Sequence, residues 1–342
     1  MSTATPFAGL DPQTVLEAVE SLGLLTDGRL FALNSYENRV YRVGLEQPLA
    51  AQAFSAADVQ LDAVVVKFYR PNRWGDAQIL EEHAFALELA AAQLPVAAPV
   101  RCAGQTLHHR EGFRFALFEC CRGGAPELDA EGARELLGRT LGRIHAQGAL
   151  RPFRYRETIA DAGWGQRARR TVLALDVIPP PLRDSYQQVS GQLAEAIDAQ
   201  AGPPDSWRAL RLHGDCHLGN ILWNARGPVF VDLDDCVQGP AVQDLWMFLS
   251  GGTAAVQQAE WAQLLAGYEQ FADFDYREVA LIEPLRGLRM LNHAAWLASR
   301  WADPAFPRAF PWFAEPRYWE RHVADLRDQL EALADPPLLR SC

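Results

Sequence analysis

The chain has 342 residues, 49% of them hydrophobic and 22% charged, and a net charge of −11. That is ordinary globular composition, with core material for one large or two ordinary domains. The acidic balance argues against a general nucleic-acid or anionic-membrane binder, and no run of about 18 apolar residues offers a membrane span. Six cysteines, at 102, 120, 121, 216, 236 and 342, show no CxxC and no framework spacing, which points to reduced thiols in a cytoplasm. The first residues lack a basic stretch followed by an apolar one, so no signal peptide is expected.

Residues 11–23 read as a short amphipathic helix, with Asp11 as cap, Pro12 at the first position and Gly23 at the end. Two strands, 29–33 and 39–45, follow. They are joined by Asn34-Ser35-Tyr36-Glu37-Asn38, a small polar turn whose Ser35 hydroxyl and backbone N–H groups suit phosphate oxygens. A plain turn would use the same residue types. Residues 46–61 are Ala- and Gln-rich without periodicity and read as a surface hairpin insertion.

The next strand, 62–69, is buried by its composition and carries Lys67 near its end, before Pro71. Lys67 is the one lysine among 32 basic residues. An ammonium and a planar guanidinium are not interchangeable, least of all as a point charge on phosphates. A helix over 76–93 carries Glu81, Glu82 and Glu88. A carboxylate from it would hold the ammonium at the nucleotide phosphates; Glu82 is favoured, with Glu81 close behind, and a solvated helix face is the bland alternative.

Strands at 100–108 and 113–121 come next, and Gly123-Gly124 then make a hinge where the strand end, at Glu119 and Cys121, suits an adenine ring. Beyond this point helices dominate: 131–148, 157–175, 182–200, then near 255–272, 276–300 and 316–333. His145 reads as a packed core histidine. Gly202-Pro203-Pro204 is a linker, and Val242–Met247 opens a helix with Asp244 near its start, placed to cap it or to brace the preceding loop. An aromatic, Pro-studded segment from Trp296 to Phe313 is mostly core, with Arg286, Arg289 and Arg300 as possible company for a substrate groove.

The most informative stretch is LHGDCHLGNILWNARGPVFVDLDD, from Leu212 to Asp235. It reads as a loop, a strand pair and an acidic turn, punctuated by Gly214, Gly219 and Gly227. Asp215, Asn220 and Asp232 are thereby presented from one hairpin. A carboxylate there can accept a hydroxyl proton, while the Asn220 amide oxygen and the Asp232 carboxylate are hard ligands suited to magnesium. His213, Cys216 and His217 are a zinc alternative, which the interrupting glycines disfavour.

Together these pieces resemble the protein-kinase-like fold, in its branch with choline kinases and aminoglycoside phosphotransferases, where HGD stands for HRD. Longer strings, Leu33–Tyr41, Val66–Pro71, Gln78–His83, Pro95–Val100 and Trp301–Pro307, are similar to the stress response kinase A family over nearly the whole chain. The resemblance implies an α+β, two-lobed fold. Residues 1–121 would form an N-lobe of antiparallel sheet and one helix, and 122–342 a mainly helical C-lobe with the catalytic loop. It also implies an ATP- and magnesium-dependent serine/threonine protein kinase of the bacterial cytoplasm, acting in stress survival. The partner would be a protein with a Ser or Thr acceptor, not nucleic acid or membrane, and the kinase a monomer. By motif, Asp215 is the catalytic base, Asn220 and Asp232 hold magnesium, and Ser35 lies at the ATP phosphates. Lys67 with Glu82 grips those phosphates, and Glu119 and Cys121 flank the adenine. The 46–61 insertion and the extra residue in 224–227 depart from the family pattern, both in turns. The rival readings are a small-molecule kinase acting on a choline-, homoserine- or aminoglycoside-like hydroxyl, and a nucleotide-binding regulator with little catalysis.

Overall fold

The computed structural model describes residues 6–50, 57–159, 163–202 and 206–335. Two compact units emerge: residues 1–157, 210–238 and 262–274 form the first, and 158–209, 239–261 and 275–342 the second. The architecture is α+β. The sheet and the whole Leu212–Asp235 stretch belong to the first unit.

That unit opens with α1 (Pro12–Glu20), where the Asp11 carboxylate accepts the Thr14 N–H at 2.8 Å. Five antiparallel strands follow in the order β1 (Thr26–Ala32), β2 (Arg39–Leu45), β3 (Val59–Phe68), β5 (Phe113–Cys121) and β4 (His108–Arg110). Period-2 alternation sorts the central strand β3 into two faces. Val64, Val66 and Phe68 pack with α1 residues Val15, Ala18 and Val19. Tyr69, just past the strand, packs on the other face with Ile79 of helix α2 (Asp76–Ala91). Lys67 shares that second face, with the Tyr69 and Phe118 rings 5.1 and 5.8 Å from its Nζ.

The expected strand at 100–108 is not formed as such. Ala103 and Gly104 both take positive φ and close a turn in which Cys102 bridges Gln105, so extended pairing starts only at His108. Of the expected 46–61 insertion, residues 51–56 lie outside the described residues, and β3 already begins at Val59. Helix α3 (Ala133–Gly148) carries His145 buried, its Nδ1 2.9 Å from the Tyr268 hydroxyl. Two short strand pairs then frame the central stretch: β6 (Leu210–Leu212) pairs with β9 (Val237–Gly239), and β7 (Ile221–Asn224) with β8 (Gly227–Phe230).

In the second unit, α4 (Trp164–Leu173), α5 (Pro180–Ala201), α7 (Ile282–Arg300) and α9 (Pro316–Ala334) pack on one another. Helix α6 (Ala254–Tyr268) runs on into the first unit's residues, and α8 (Ala305–Ala309) is short. The expected helix at Val242–Met247 is replaced by two 3-10 turns, 241–244 and 246–248. Glu278 explains the first: its buried carboxylate accepts the Val242 N–H at 3.0 Å, satisfying the turn's start from outside the segment. The expected helix at 157–175 begins only at Trp164, and residues 160–162 lie outside the described residues, as do Pro203 and Pro204 of the linker and Cys342. The aromatic segment was expected to be mostly core, but Phe306 and Phe313 are buried while Trp296, Trp301 and Phe310 are half-buried and Trp312 is exposed; Trp296 lies 5.1 Å from Phe306 and Trp301 5.1 Å from Phe313, ring to ring. Among the described residues no helix is long and apolar enough to cross a membrane.

Candidate active site

Lys67 gathers the site. Its Nζ lies 3.5 Å from Glu82 Oε1, 2.9 Å from Asp232 Oδ1 and 3.0 Å from Asp234 Oδ1. Three elements distant in sequence, β3, α2 and the acidic turn after β8, are thus joined by one ammonium. Lys67, Glu82 and Asp234 are each at most 5% exposed, whereas the Asp232 side chain is half exposed. Burial works against the charged ammonium. Asp232, Asp234 and Glu82 outweigh it and hold the pKa well above the ordinary lysine value.

Glu82, not Glu81, meets the lysine. Glu81 instead accepts the backbone N–H groups of Arg154, Tyr155 and Arg156 at 2.6–2.9 Å, tying α2 to that loop. Burial raises the Glu82 pKa, and Lys67 offsets this only in part because it is shared among three carboxylates. A carboxyl whose pKa is higher folded than unfolded stabilises the fold most below its unfolded value, and that contribution is lost as pH rises through the folded one. From 4.5 to about 7, ionised Glu82 therefore costs roughly 3 kcal/mol in the folded state. We expect Glu82→Gln to flatten the fall in stability between pH 5.5 and 8, measured by urea unfolding; an unchanged slope would contradict the assignment.

The sequence reading overlooked the groups that anchor this turn. Asp234 is buried at its centre. Desolvation would raise its pKa, but Lys67, Arg73 and Arg156 hold it well below the usual carboxylate range. Arg73 pairs with Asp234 and with Asp235. Arg156 donates to the backbone oxygen of Asp234 and, at 2.8 Å, to that of Cys236. Asn38 donates from Nδ2 to Asp234 Oδ2 at 3.1 Å and accepts the Arg70 N–H at 3.0 Å, which ties the Ser35–Asn38 turn to the acidic one. The run Asp232-Leu233-Asp234-Asp235 was a signal for Asp234; nothing local marked Arg73, Arg156 or Asn38.

Gly214 must be glycine: its φ is +85°, and an added Cβ would sit 2.1 Å from the Asp235 oxygen. This close approach brings the HGD loop against the acidic turn. His213 Nε2 lies 2.9 Å from the Val231 oxygen, and the Val231 N–H donates to the Asn220 oxygen at 3.0 Å. Asp232 itself takes φ +58°, a conformation Asp tolerates better than most. Asn220 Nδ2 donates to the Asp215 backbone oxygen at 2.9 Å, with Asp215 Oδ2 at 3.5 Å. His217 Nδ1 accepts the Gly219 N–H at 2.9 Å, which leaves Nε2, 3.3 Å from Asp215 Oδ2, as the donor to that carboxylate. Among the described residues no group of three His, Cys, Asp or Glu is arranged to hold a metal.

Ser35 donates to the Asn38 oxygen at 3.2 Å within its own turn. Glu119 is buried, its N–H on the Ala98 oxygen at 3.0 Å. Cys121 ends β5, and burial pushes its thiol pKa upward. The donor set suits magnesium. Asn220 spends its amide nitrogen on Asp215, so its amide oxygen is the atom that would face a metal, and Asp232 would add one half-exposed carboxylate. Two hard oxygens are what a protein offers an ion that otherwise keeps water and phosphate oxygens.

Residues 30–282 match the phosphotransferase enzyme family, and the chain belongs to that family. Among curated proteins it is 43% identical over 341 residues to stress response kinase A of Escherichia coli K12, covering 98% of each chain. It is 41% identical over 339 residues to the serine/threonine protein kinase RdoA of Salmonella typhimurium, covering 98% of this chain and 97% of that one. The resemblance to the stress response kinase A family therefore holds across the whole chain, and the protein is a kinase of this group. Among solved structures, amicoumacin kinase hAmiN, in complex with AMP-PNP, Ca2+ and Ami, superposes with a TM-score of 0.71 at 19% identity over 97% of this chain and 96% of that one. A microcompartment-associated aminopropanol kinase gives 0.67 at 18% identity, over 94% and 98%. At such identities the likeness is one of fold.

Proposed function

We propose that the chain is an ATP- and magnesium-dependent serine/threonine protein kinase, monomeric and cytoplasmic, acting in a stress response. The observation that carries this is the Lys67 ammonium held between Glu82 and the Asp232–Asp234 turn, with Asp215 and Asn220 on the adjoining loop. Residues 1–121 would cover the nucleotide, with 122–342 supplying the catalytic loop. The adenine lies at Glu119–Cys121, and Ser35 and the backbone of its turn face the phosphates. Lys67, steered by Glu82, neutralises phosphate charge. Asn220 and Asp232 hold the metal, which when bound neutralises the phosphate oxygens. Asp215, oriented by His217 and Asn220, accepts the proton of the acceptor hydroxyl as the hydroxyl oxygen bonds to the γ-phosphorus and the bond to the β,γ-bridging oxygen breaks, leaving ADP. Catalysis is then mostly positioning and charge neutralisation.

Protein rather than small-molecule acceptors are favoured by the 41% identity to a relative named as a serine/threonine protein kinase, against 19% and 18% for the amicoumacin and aminopropanol kinases that share the fold. The decisive assay offers labelled ATP and magnesium with generic protein substrates and a panel of small alcohols, with Asp215→Asn as control. Label in protein is the expected result. Label confined to the small alcohols would replace this reading with the small-molecule one, and magnesium-dependent turnover of neither kind would leave a nucleotide-binding regulator.

A further inference from the structure

Beside the Lys67–Glu82 pair lies a buried polar chain with no part in the chemistry above. The Tyr69 hydroxyl is 2.7 Å from His83 Nε2, and His83 Nδ1 is 2.8 Å from Thr106 Oγ1. The three residues are 2%, 1% and 5% exposed. Tyr69 follows Lys67 by two positions and shares its face of the sheet. His83 directly follows Glu82 on α2. Thr106 lies in the loop before β4. Polar groups so deeply buried are tolerable only where each satisfies another, and leucine or phenylalanine would occupy the same volume without that demand.

Two forces hold α2 on the sheet, and they do different work. Ile79, fully buried, supplies apolar contact with Tyr69 and Ala116. That contact is strong but non-directional, so it fixes α2 on the sheet without fixing its rotation. Each residue on a helix turns the face by about 100°, and Glu82 is already 3.5 Å from Lys67, so a small rotation breaks the pair. Hydrogen bonds are directional. Burial and the nearby Lys67 push the His83 pKa down to about 3, so the ring is neutral, with one nitrogen donating and the other accepting. Two hydroxyls, each able to do either, match that ring from both sides. The Tyr69 ring also lies 5.1 Å from the Lys67 Nζ, so one side chain touches both the ammonium and the helix that must meet it.

We propose that Tyr69, His83 and Thr106 are positioning residues, a relay that sets the rotation of α2 on β3 and thereby holds Glu82 at Lys67. The relay rests on the kinase reading for its consequence in turnover, but its structural effect can be read without it, because Lys67 is the only lysine in the chain. Full-length protein labelled with 15N-lysine gives one side-chain ammonium signal, and amine-reactive reagents have one lysine to modify. We expect Tyr69→Phe and His83→Leu to shift that signal, to speed modification of Lys67 and to lower kcat/KM for ATP about tenfold. His83→Gln, which keeps a donor and an acceptor, should fall between His83→Leu and the parent. In a Glu82→Gln background, His83→Leu should cost no further kcat/KM, because the relay acts through Glu82. Folded Tyr69→Phe and His83→Leu proteins with parental Lys67 signals and turnover would overturn the proposal, as would a His83→Leu loss that simply adds to that of Glu82→Gln. If the parent turns over no ATP, the kinase reading fails and the lysine signal alone decides: a shift supports the relay and no shift removes it.

Discussion

Replacing Asp215 by Asn should lower turnover at least about a thousandfold while leaving nucleotide affinity within about twofold of the parent. The substitution is nearly isosteric, so the loop should keep its shape. Its main anchor, Asn220 Nδ2 on the Asp215 backbone oxygen at 2.9 Å, does not involve the side chain that changes. One acceptor oxygen becomes an amide that already carries its protons and cannot take another. Of the groups read as gripping phosphates, Lys67 is held by Glu82, Asp232 and Asp234. Single-turnover kinetics with labelled ATP would measure the loss, and titration with a non-hydrolysable analogue the affinity. Near-normal turnover would remove Asp215 as the base. A matching collapse of affinity would make it a structural residue of the loop.

The parts of this site legible in the sequence were those that local spacing encodes. The Asp215, Asn220 and Asp232 hairpin stands within one stretch, and Gly214 and Gly227 punctuate it because only glycine suits their φ of +85° and +111°. Lys67 was visible because it is the sole lysine, on a strand whose apolar pattern is strong. What escaped was set by tertiary pairing. Glu82 was only preferred to Glu81, because the two are adjacent carboxylates with the same helical propensity. Only the fold sends one to Lys67 and the other to the Arg154–Arg156 backbone. Arg73 and Arg156 find the acidic turn across 161 and 78 residues of chain. The 242–247 segment has helical composition, yet a carboxylate 36 residues away organises its start as a 3-10 turn. The stretch 100–108 read as a strand, but Ala103 at φ +50° shows that a turn took its place.

Lys67→Met is expected to abolish turnover and to destabilise the protein in a pH-dependent manner. Truncating the charge leaves Asp234 with Arg73 and Arg156, but leaves Glu82, 1% exposed, without its nearest cation. Breaking a buried pair from one side costs about 3–5 kcal/mol. The cost falls where Glu82 can take up a proton instead. Its pKa is already raised by burial with Lys67 present, and removing Lys67 raises it further. The folded variant therefore binds a proton over a wider range above the unfolded value, so its stability is greatest at low pH and is lost as pH rises. Urea midpoints at pH 6 and pH 8.5 should differ more in the variant than in the parent. Adding Glu82→Gln should return much of the stability and remove the extra pH slope, while the double variant stays inactive, which separates the stability role of the ammonium from its role at the phosphates. Lys67→Arg would be the sharper control. It restores the charge, but its planar fork is larger than an ammonium in a slot walled by Tyr69 and Phe118. Stability near the parent with turnover still reduced about a hundredfold is the expected outcome. Full activity in that variant would mean that any cation suffices, and would remove the physical reason for the one lysine in a chain that otherwise uses arginine.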